Sequence, residues 1–274
     1  NIKVNFTPSG NMTRDTAKIV GLSASGQPPE WDIMVVTDAH HGSLWLRKLH
    51  KPFDYASLGV AKERVEYDNG TVSVANQFAL PAYNTKLLPA KDAPKTWEDL
   101  LDPKWKGKLI AEPRDVEVFI GLARRKYKSD EKAIPLLKKI AVNNVEFHKG
   151  HSQLAEFLVA GQAAACFTCY AHHYPPRIKK GAPLGYMLTE GVASINATAV
   201  AKDSPHPNTA WLFARWSASE EGQKVYAIGG RTPPHPKVEP MDKIRPAKIY
   251  PIGTDELKNW SKYEKIWKDI FKLR

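Results

Sequence analysis

Asp32-Ile33-Met34-Val35-Val36 runs into Thr37-Asp38, and Lys108-Leu109-Ile110-Ala111 runs into Glu112-Pro113-Arg114-Asp115. Both stretches obey the same grammar. A short apolar run of this kind reads as a strand buried in a parallel sheet, and each run leads directly into residues that open a helix. Thr37-Asp38 offers N-cap chemistry for a helix carrying Leu44, Leu46 and Leu49. Helices over 116–127 and 130–142 are expected after the second run. Strand followed by helix, repeated along a chain, is the signature of an α/β fold.

Outward from these units the alternation continues. Residues 2–6 alternate like a strand, and 12–23 read as a helix closed by Gly26 and Pro28-Pro29. Tyr67-Asp68-Asn69-Gly70-Thr71 is a hairpin signal, with extended chain over 72–83. Thr96 opens a helix that stops before Pro103. Ser152 is expected to cap a helix over 153–160, with Gly161 in the stop position. Strands are expected over 163–168, 183–188 and 193–201. Pro207 begins a helix carrying Trp211, Leu212, Phe213 and Trp216, and Ser217 with Glu220 has the spacing of a capping box for the next. A last helix takes Thr254 as its cap and Asp255-Glu256 in its first turn. Its apolar line runs through Leu257, Trp260, Tyr263, Trp267, Ile270 and Phe271, a stripe suited to packing on a lobe.

The chain has 274 residues, enough for two lobes or one large α/β domain. No apolar run approaches the roughly 20 residues that span a bilayer, and the stretch 154–165 is broken by Glu156, Gly161 and Gln162. No signal peptide is read at the start. The net charge of +11 is concentrated toward the end, where Arg231 onward holds eleven Lys/Arg against six Asp/Glu. Small clusters such as Arg124-Arg125-Lys126 read as solvated faces, and no basic stripe with interleaved aromatics marks a nucleic-acid binder. Gly-x-Ser-x-Gly, Walker and His-Glu-x-x-His motifs are absent, so no catalytic residue is assigned and the chain is not read as an enzyme.

Cys166 and Cys169 lie three apart in a strand-like segment, and odd spacing sends their side chains to opposite faces. A disulfide would then require a distorted backbone, so two buried thiols are expected. Cys166, Cys169, His172 and His173 contain zinc-type ligands, but the divergence of the thiols argues against that metal. No metal site and no cofactor are assigned.

Three stretches together resemble bacterial extracellular solute-binding proteins of the type II periplasmic fold, nearest the ferric-iron, thiamine, aminoalkylphosphonate and polyamine binders. The first is Tyr83-Asn84-Thr85-Lys86 with Thr96-Trp97-Glu98-Asp99-Leu100-Leu101-Asp102-Pro103-Lys104-Trp105-Lys106-Gly107-Lys108. The second runs from Gly161-Gln162-Ala163 to Tyr170, then Gly181-Ala182-Pro183. The third is Ala201-Lys202-Asp203-Ser204-Pro205-His206-Pro207-Asn208, then Ala210-Trp211-Leu212-Phe213 and Ser219-Glu220-Glu221-Gly222-Gln223. Family members usually begin with a further strand and helix ahead of the segment matching 1–6.

The resemblance implies an α/β chain in two lobes, with hinge crossovers and a central ligand cleft. Lobe 1 is expected over 1–78 plus 191–236 and lobe 2 over 79–190, with 237–274 as a tail packed on a lobe. It also implies a periplasmic component of an ABC importer that closes on a small, anionic solute. Such a protein acts as a monomer, delivers to an inner-membrane permease and has no nucleic-acid partner. The alternative is a metal-ion binder of the ferric type with non-standard ligands. Ferric binders of this family show two adjacent tyrosines where this chain reads Tyr170-Ala171, which counts against that ligand mode.

Ligands of α/β lobes sit beyond the carboxyl ends of strands, where helices open. This rule and the resemblance nominate Ser9 and Gly10 after the first strand, and Asp38 and His40 after the second. Arg114 follows 108–111 with a guanidinium able to grip an anion bidentately. Ser152 offers a hydroxyl at a helix start, Tyr170 ends the cysteine strand, and Asn196 lies on the returning strand. Asp38 also reads as a plain helix cap, and Arg114 as half of a surface pair with Asp115.

Overall fold

A computed structural model describes residues 2–8, 12–240, 244–252 and 259–273, except for the side chains of Thr13 and Ala39. The chain divides into two compact units, residues 1–76 with 195–241 and residues 77–194 with 242–274.

In unit 1, helix α1 (Met12–Ala24) leads to β1 (Ile33–Thr37) and α2 (Asp38–Trp45). The hairpin forms as β2 (Val65–Glu66) and β3 (Thr71–Ala79), with Val65 opposite Val72. Its turn places Tyr67, Asp68 and Asn69 at φ of 56°, 54° and 63°, the left-handed region that Asn and Asp tolerate best. Strand β9 (Glu190–Val200) pairs antiparallel with β1, Thr37 facing Asn196. The parallel pairing expected for 32–36 is therefore corrected. Val35 is 39% exposed while Met34 and Val36 are buried, the alternation of a strand covered on one face. Helices α7 (Pro207–Ala218) and α8 (Glu220–Ile228) complete the unit. Ser219, not Ser217, caps α8 by accepting the Gly222 N–H at 3.3 Å. Ser217 is fully buried and donates to the Ala214 carbonyl at 2.8 Å. Residues 2–6 form no strand: Ile2, Val4 and Phe6 are exposed and no described strand pairs with them.

In unit 2, β4 (Ala82–Asn84) precedes β5 (Leu109–Ala111). Helix α3 (Val116–Gly121) continues into a π-turn over Leu122–Lys126, and α4 spans Asp130–Val142. Then come β6 (Glu146–Phe147), α5 (His151–Ala160), β7 (Ala165–Cys166), α6 (Pro175–Ile178) and β8 (Leu184–Tyr186). The sheet order is β6-β5-β7-β4-β8, with β6, β5 and β7 mutually parallel. The strand expected over 163–168 shrinks to two residues because the chain bends after Cys166. Strand β10 (Lys248–Pro251) runs parallel to the opening residues of β9, and α9 (Trp260–Phe271) buries Tyr263 and Trp267 in the core of this unit. Thr254, Asp255 and Glu256 lie outside the described residues.

A polar network ties the start of β9 into the unit. Lys126 Nζ lies 2.6 Å from both Glu190 Oε1 and Glu98 Oε2. The Trp97 N–H and the Tyr250 hydroxyl each donate to Glu190 at 3.0 Å. The Lys126 and Glu190 side chains are only 12% and 5% exposed, and removing one partner of a buried pair strands the other charge. Glu190→Ala is expected to cost about 3–5 kcal/mol in urea unfolding at neutral pH, and Glu190→Gln less. A loss below about 1 kcal/mol, the scale of a surface pair, would contradict this reading.

Candidate functional site

In unit 2 the three parallel strands β6, β5 and β7 end on the same side, and their following loops meet there. Ala111 runs into Glu112, Phe147 runs through Gly150 into α5, and Cys166 runs into Tyr170. Short buried strands hold these loops close together, which is why convergence arises here rather than along the sheet.

Glu112 has no exposure. Arg114 grips it bidentately, through Nε at 2.8 Å and through Nη2, and the Gly150 N–H donates to it at 2.9 Å. Burial raises the Glu112 carboxyl, but these donors outweigh it and hold the group below the usual carboxylate range. The expected Arg114–Asp115 surface pair is thus corrected. Arg114 turns to Glu112, and Asp115 faces His151 Nε2 at 3.2 Å. Burial opposes both charges of that pair, yet the facing carboxylate lifts His151 above an ordinary imidazole, while burial lifts Asp115. The Tyr170 hydroxyl donates to Glu117, and the Tyr170 ring lies 4.0 Å from that of His151. Burial and the neighbouring Asp115 charge push the Glu117 carboxyl up to about 7. Burial and Glu117 drive the Tyr170 phenol well above its usual value.

Ser152 is exposed at the second position of α5. Gly150, not Ser152, occupies the N-cap, because φ of 100° there is open to glycine. Cys166 and Cys169 form a disulfide with Cα atoms 5.8 Å apart, correcting the expectation of two thiols. The bend after Cys166 removes the strand geometry that would have parted them, and oxidised sulfurs cannot serve as thiolate ligands for zinc. Among the described residues, no group of three or more His, Cys, Asp or Glu is arranged to hold a metal ion.

In unit 1, Asp38, His40 and Asn196 come together at the end of β1. Thr37 is paired with Asn196, and its hydroxyl meets His40 Nδ1 at 2.7 Å. Asp38 is 4% exposed, and neither carboxyl oxygen has a hydrogen-bond partner among the described residues. Burial and the nearby Glu66 raise it well above the usual value. The Asn196 side-chain N–H group is likewise buried without a partner. The Tyr67 hydroxyl donates to the Asp38 carbonyl at 2.5 Å, fixing the start of α2. Ser9 and Gly10 lie outside the described residues.

Beneath this group lies a histidine pair. His41 Nε2 donates to the Ala197 carbonyl at 2.9 Å, so Nδ1 accepts from His50 Nε2 at 3.3 Å. Burial favours the neutral form of both rings. Reading by sequence passed over this pair, and also over Glu112, Asp115, Glu117 and His151. The signal for the last set was the run of acids directly after a buried strand, Glu112-Pro113-Arg114-Asp115-Val116-Glu117.

Two outcomes follow. Burial lowers His41 to about 3 and His50 to about 4, below the unfolded value of 6.5. The unfolded chain then binds the extra protons, so their contribution is present above pH 6.5 and drains away as pH falls toward about 4. Each contributes up to about 1.4 kcal/mol per pH unit in that window. His50→Gln should flatten the pH dependence of urea unfolding there, and an unchanged slope would refute the assignment. Tyr170→Phe removes the donor that favours ionised Glu117, so the carboxyl should titrate above about 7 by carbon-13 NMR; titration near 4 would show that the pair does not exist.

Residues 1–251 match the model of the family described as bacterial extracellular solute-binding protein. The Fe(3+)-binding periplasmic protein of Serratia marcescens is 25% identical over 223 residues, 74% of this chain and 65% of that protein. The match thus spans less than two thirds of that relative's length. Iron-bound HitA from Pseudomonas aeruginosa superposes with a TM-score of 0.78 at 20% identity, covering 95% of this chain and 88% of that one. AfuA from Actinobacillus pleuropneumoniae, with fructose-6-phosphate bound, gives 0.71 at 19% identity, covering 96% and 89%. The fold is that of the type II periplasmic binding proteins, and the chain belongs to the bacterial extracellular solute-binding protein family.

Proposed function

We propose that this chain is the solute-capturing component of a bacterial ABC importer, working in the periplasm without catalysis and handing a small anionic solute to an inner-membrane permease. The carrying observation is the convergence of Arg114, His151 and Tyr170 at the carboxyl ends of parallel strands in unit 2, beside the start of α5. The Arg114 guanidinium and the His151 imidazole carry N–H donors suited to carboxylate or phosphate oxygens, and the Tyr170 ring lies against the imidazole. Charge distribution supports the same sign of ligand. Unit 2 holds 27 Lys/Arg against 17 Asp/Glu, whereas unit 1 holds 13 against 12. A field of that sign raises the local concentration of anions. Ser152 is the remaining proposed contact of unit 2; Asp38, His40 and Asn196 form a separate proposed group within unit 1, and Ser9 and Gly10 are kept from the sequence reading.

One observation favours a second reading, a ferric-type cation. Tyr170 and Glu117 place two hard oxygens side by side, and oxygen donors of this kind suit hard cations. Elemental analysis of the purified protein separates the two readings.

A thermal-shift screen of carboxylates, phosphonates, sugar phosphates and ferric citrate should find a stabilising solute. A ligand held at 100 times its Kd adds about 2.7 kcal/mol to stability. Arg114→Ala and Tyr170→Ala should each remove most of that gain. If no solute of any class moves the melting point, the binding assignment fails.

A further inference from the structure

The disulfide sits directly before the tyrosine on which the binding proposal leans. Each residue from Cys166 to Tyr170 is tied to a neighbour within unit 2. Cys166 is in register with Ala82 of β4 and Ile110 of β5. The Phe167 N–H donates to the Ile110 carbonyl at 2.8 Å, and Thr168 Oγ1 accepts the Glu112 N–H at 3.2 Å. The Cys169 carbonyl accepts the Leu80 N–H at 3.0 Å, and Tyr170 bridges to Ala79. The cross-link encloses only Phe167 and Thr168. So short a loop removes little freedom from the unfolded chain compared with a long one. The consequence of the bond is therefore local. The bend that ends β7 lies within that loop, and the chain leaving it carries the Tyr170 ring to His151 and Glu117.

We propose that the Cys166–Cys169 disulfide is a positioning element for Tyr170, making the binding face of unit 2 conditional on oxidation. The chain gains solute-binding competence only where thiols are oxidised, and a reduced precursor lacks it. This inference rests on the role given to Tyr170 above. Formation passes two electrons and two protons from the thiols to a disulfide-type oxidant, which leaves as a dithiol. Oxidants of that class act outside the reducing cytosol. Cys166 and Cys169 are 0% and 1% exposed, so a reductant reaches the bond only after local opening.

The test compares oxidised wild type with Cys166→Ala/Cys169→Ala, the Ser/Ser counterpart and chemically reduced wild type, so that a folding failure in one variant leaves the others decisive. Hydrogen exchange of the amides of 167–170 and Leu80 should accelerate by about tenfold or more, with α4 amides unchanged. A 3-fluorotyrosine at position 170 should lose its single sharp fluorine-19 line. Uniform acceleration across unit 2, or none in 167–170, overturns the proposal. Ferric citrate and fructose 6-phosphate serve as binding probes, and whichever binds the oxidised protein should lose about tenfold or more in affinity. Unchanged affinity also overturns it. If oxidised wild type binds neither probe, the solute assignment suffers, while the exchange and fluorine results still decide the positioning role.

Discussion

Three carboxyl groups within six residues, Glu112, Asp115 and Glu117, are packed at the end of a buried strand, and the local arrangement of unit 2 is the solution to that problem. Removing a carboxylate from water costs several kcal/mol, whereas one hydrogen bond to a charged group returns about 1.5–3. No single donor suffices, and each carboxyl is handled differently. Glu112 takes a bidentate guanidinium and a backbone N–H. Asp115 takes the His151 imidazole, whose proton affinity it raises. Glu117 takes a phenol and, with its titration near 7, remains partly protonated at neutral pH. The loop carrying all three is held from outside as well, because the Trp267 indole N–H of α9 donates to the Pro113 carbonyl at 2.9 Å. The C-terminal helix is thereby part of the site's support.

Unit 1 meets the same difficulty by discharging its buried groups. Burial holds His41 and His50 neutral, and Asp38 is lifted toward its acid form. Its near balance of charged residues suits this treatment, while the cationic excess of unit 2 suits ionised carboxylates. One chain thus presents a discharged polar group in one unit and a charged, mutually compensated one in the other.

How much was legible in the sequence depended on whether the deciding interaction was local. Helix α4 forms over Asp130–Val142, the range expected from the sequence. The hairpin at Asn69-Gly70 is equally local. Residues 2–6 carry strand periodicity, but periodicity does not supply a partner strand. Ser152 and Ser217 have capping chemistry, yet Gly150 and Ser219 occupy the caps, since a cap is chosen by where the preceding loop turns. The cysteine pair was misread for the same reason. Side-chain divergence holds only while the strand continues, and the chain bends at Cys166. Among site residues, Arg114 and Tyr170 stood out as exceptional chemistry after strands, whereas Asp115 read only as half of a surface pair and Glu117 and His151 were not nominated. Their burial comes from three loops meeting, and each loop by itself carries no sign of that meeting.

Glu117 also bears on the two ligand classes proposed for the unit 2 face. A cation bound at the Tyr170 oxygen requires the phenol proton to leave, and Glu117, ionised in part near neutrality, is the acceptor already in contact with it. An anion at the same place is favoured by the opposite state, with Glu117 protonated and one negative charge fewer beside Asp115 and Glu112. Both states lie close in free energy, because a carboxyl with a pKa of about 7 is divided between them at neutral pH. In the proposed anion reading Arg114 and His151 favour the second state, Arg114 as a cation and His151 through the proton affinity that Asp115 raises. Their own carboxylate partners cancel part of that charge at short range, so the attraction for an anion builds up over the longer range at which the whole cationic surface of unit 2 acts.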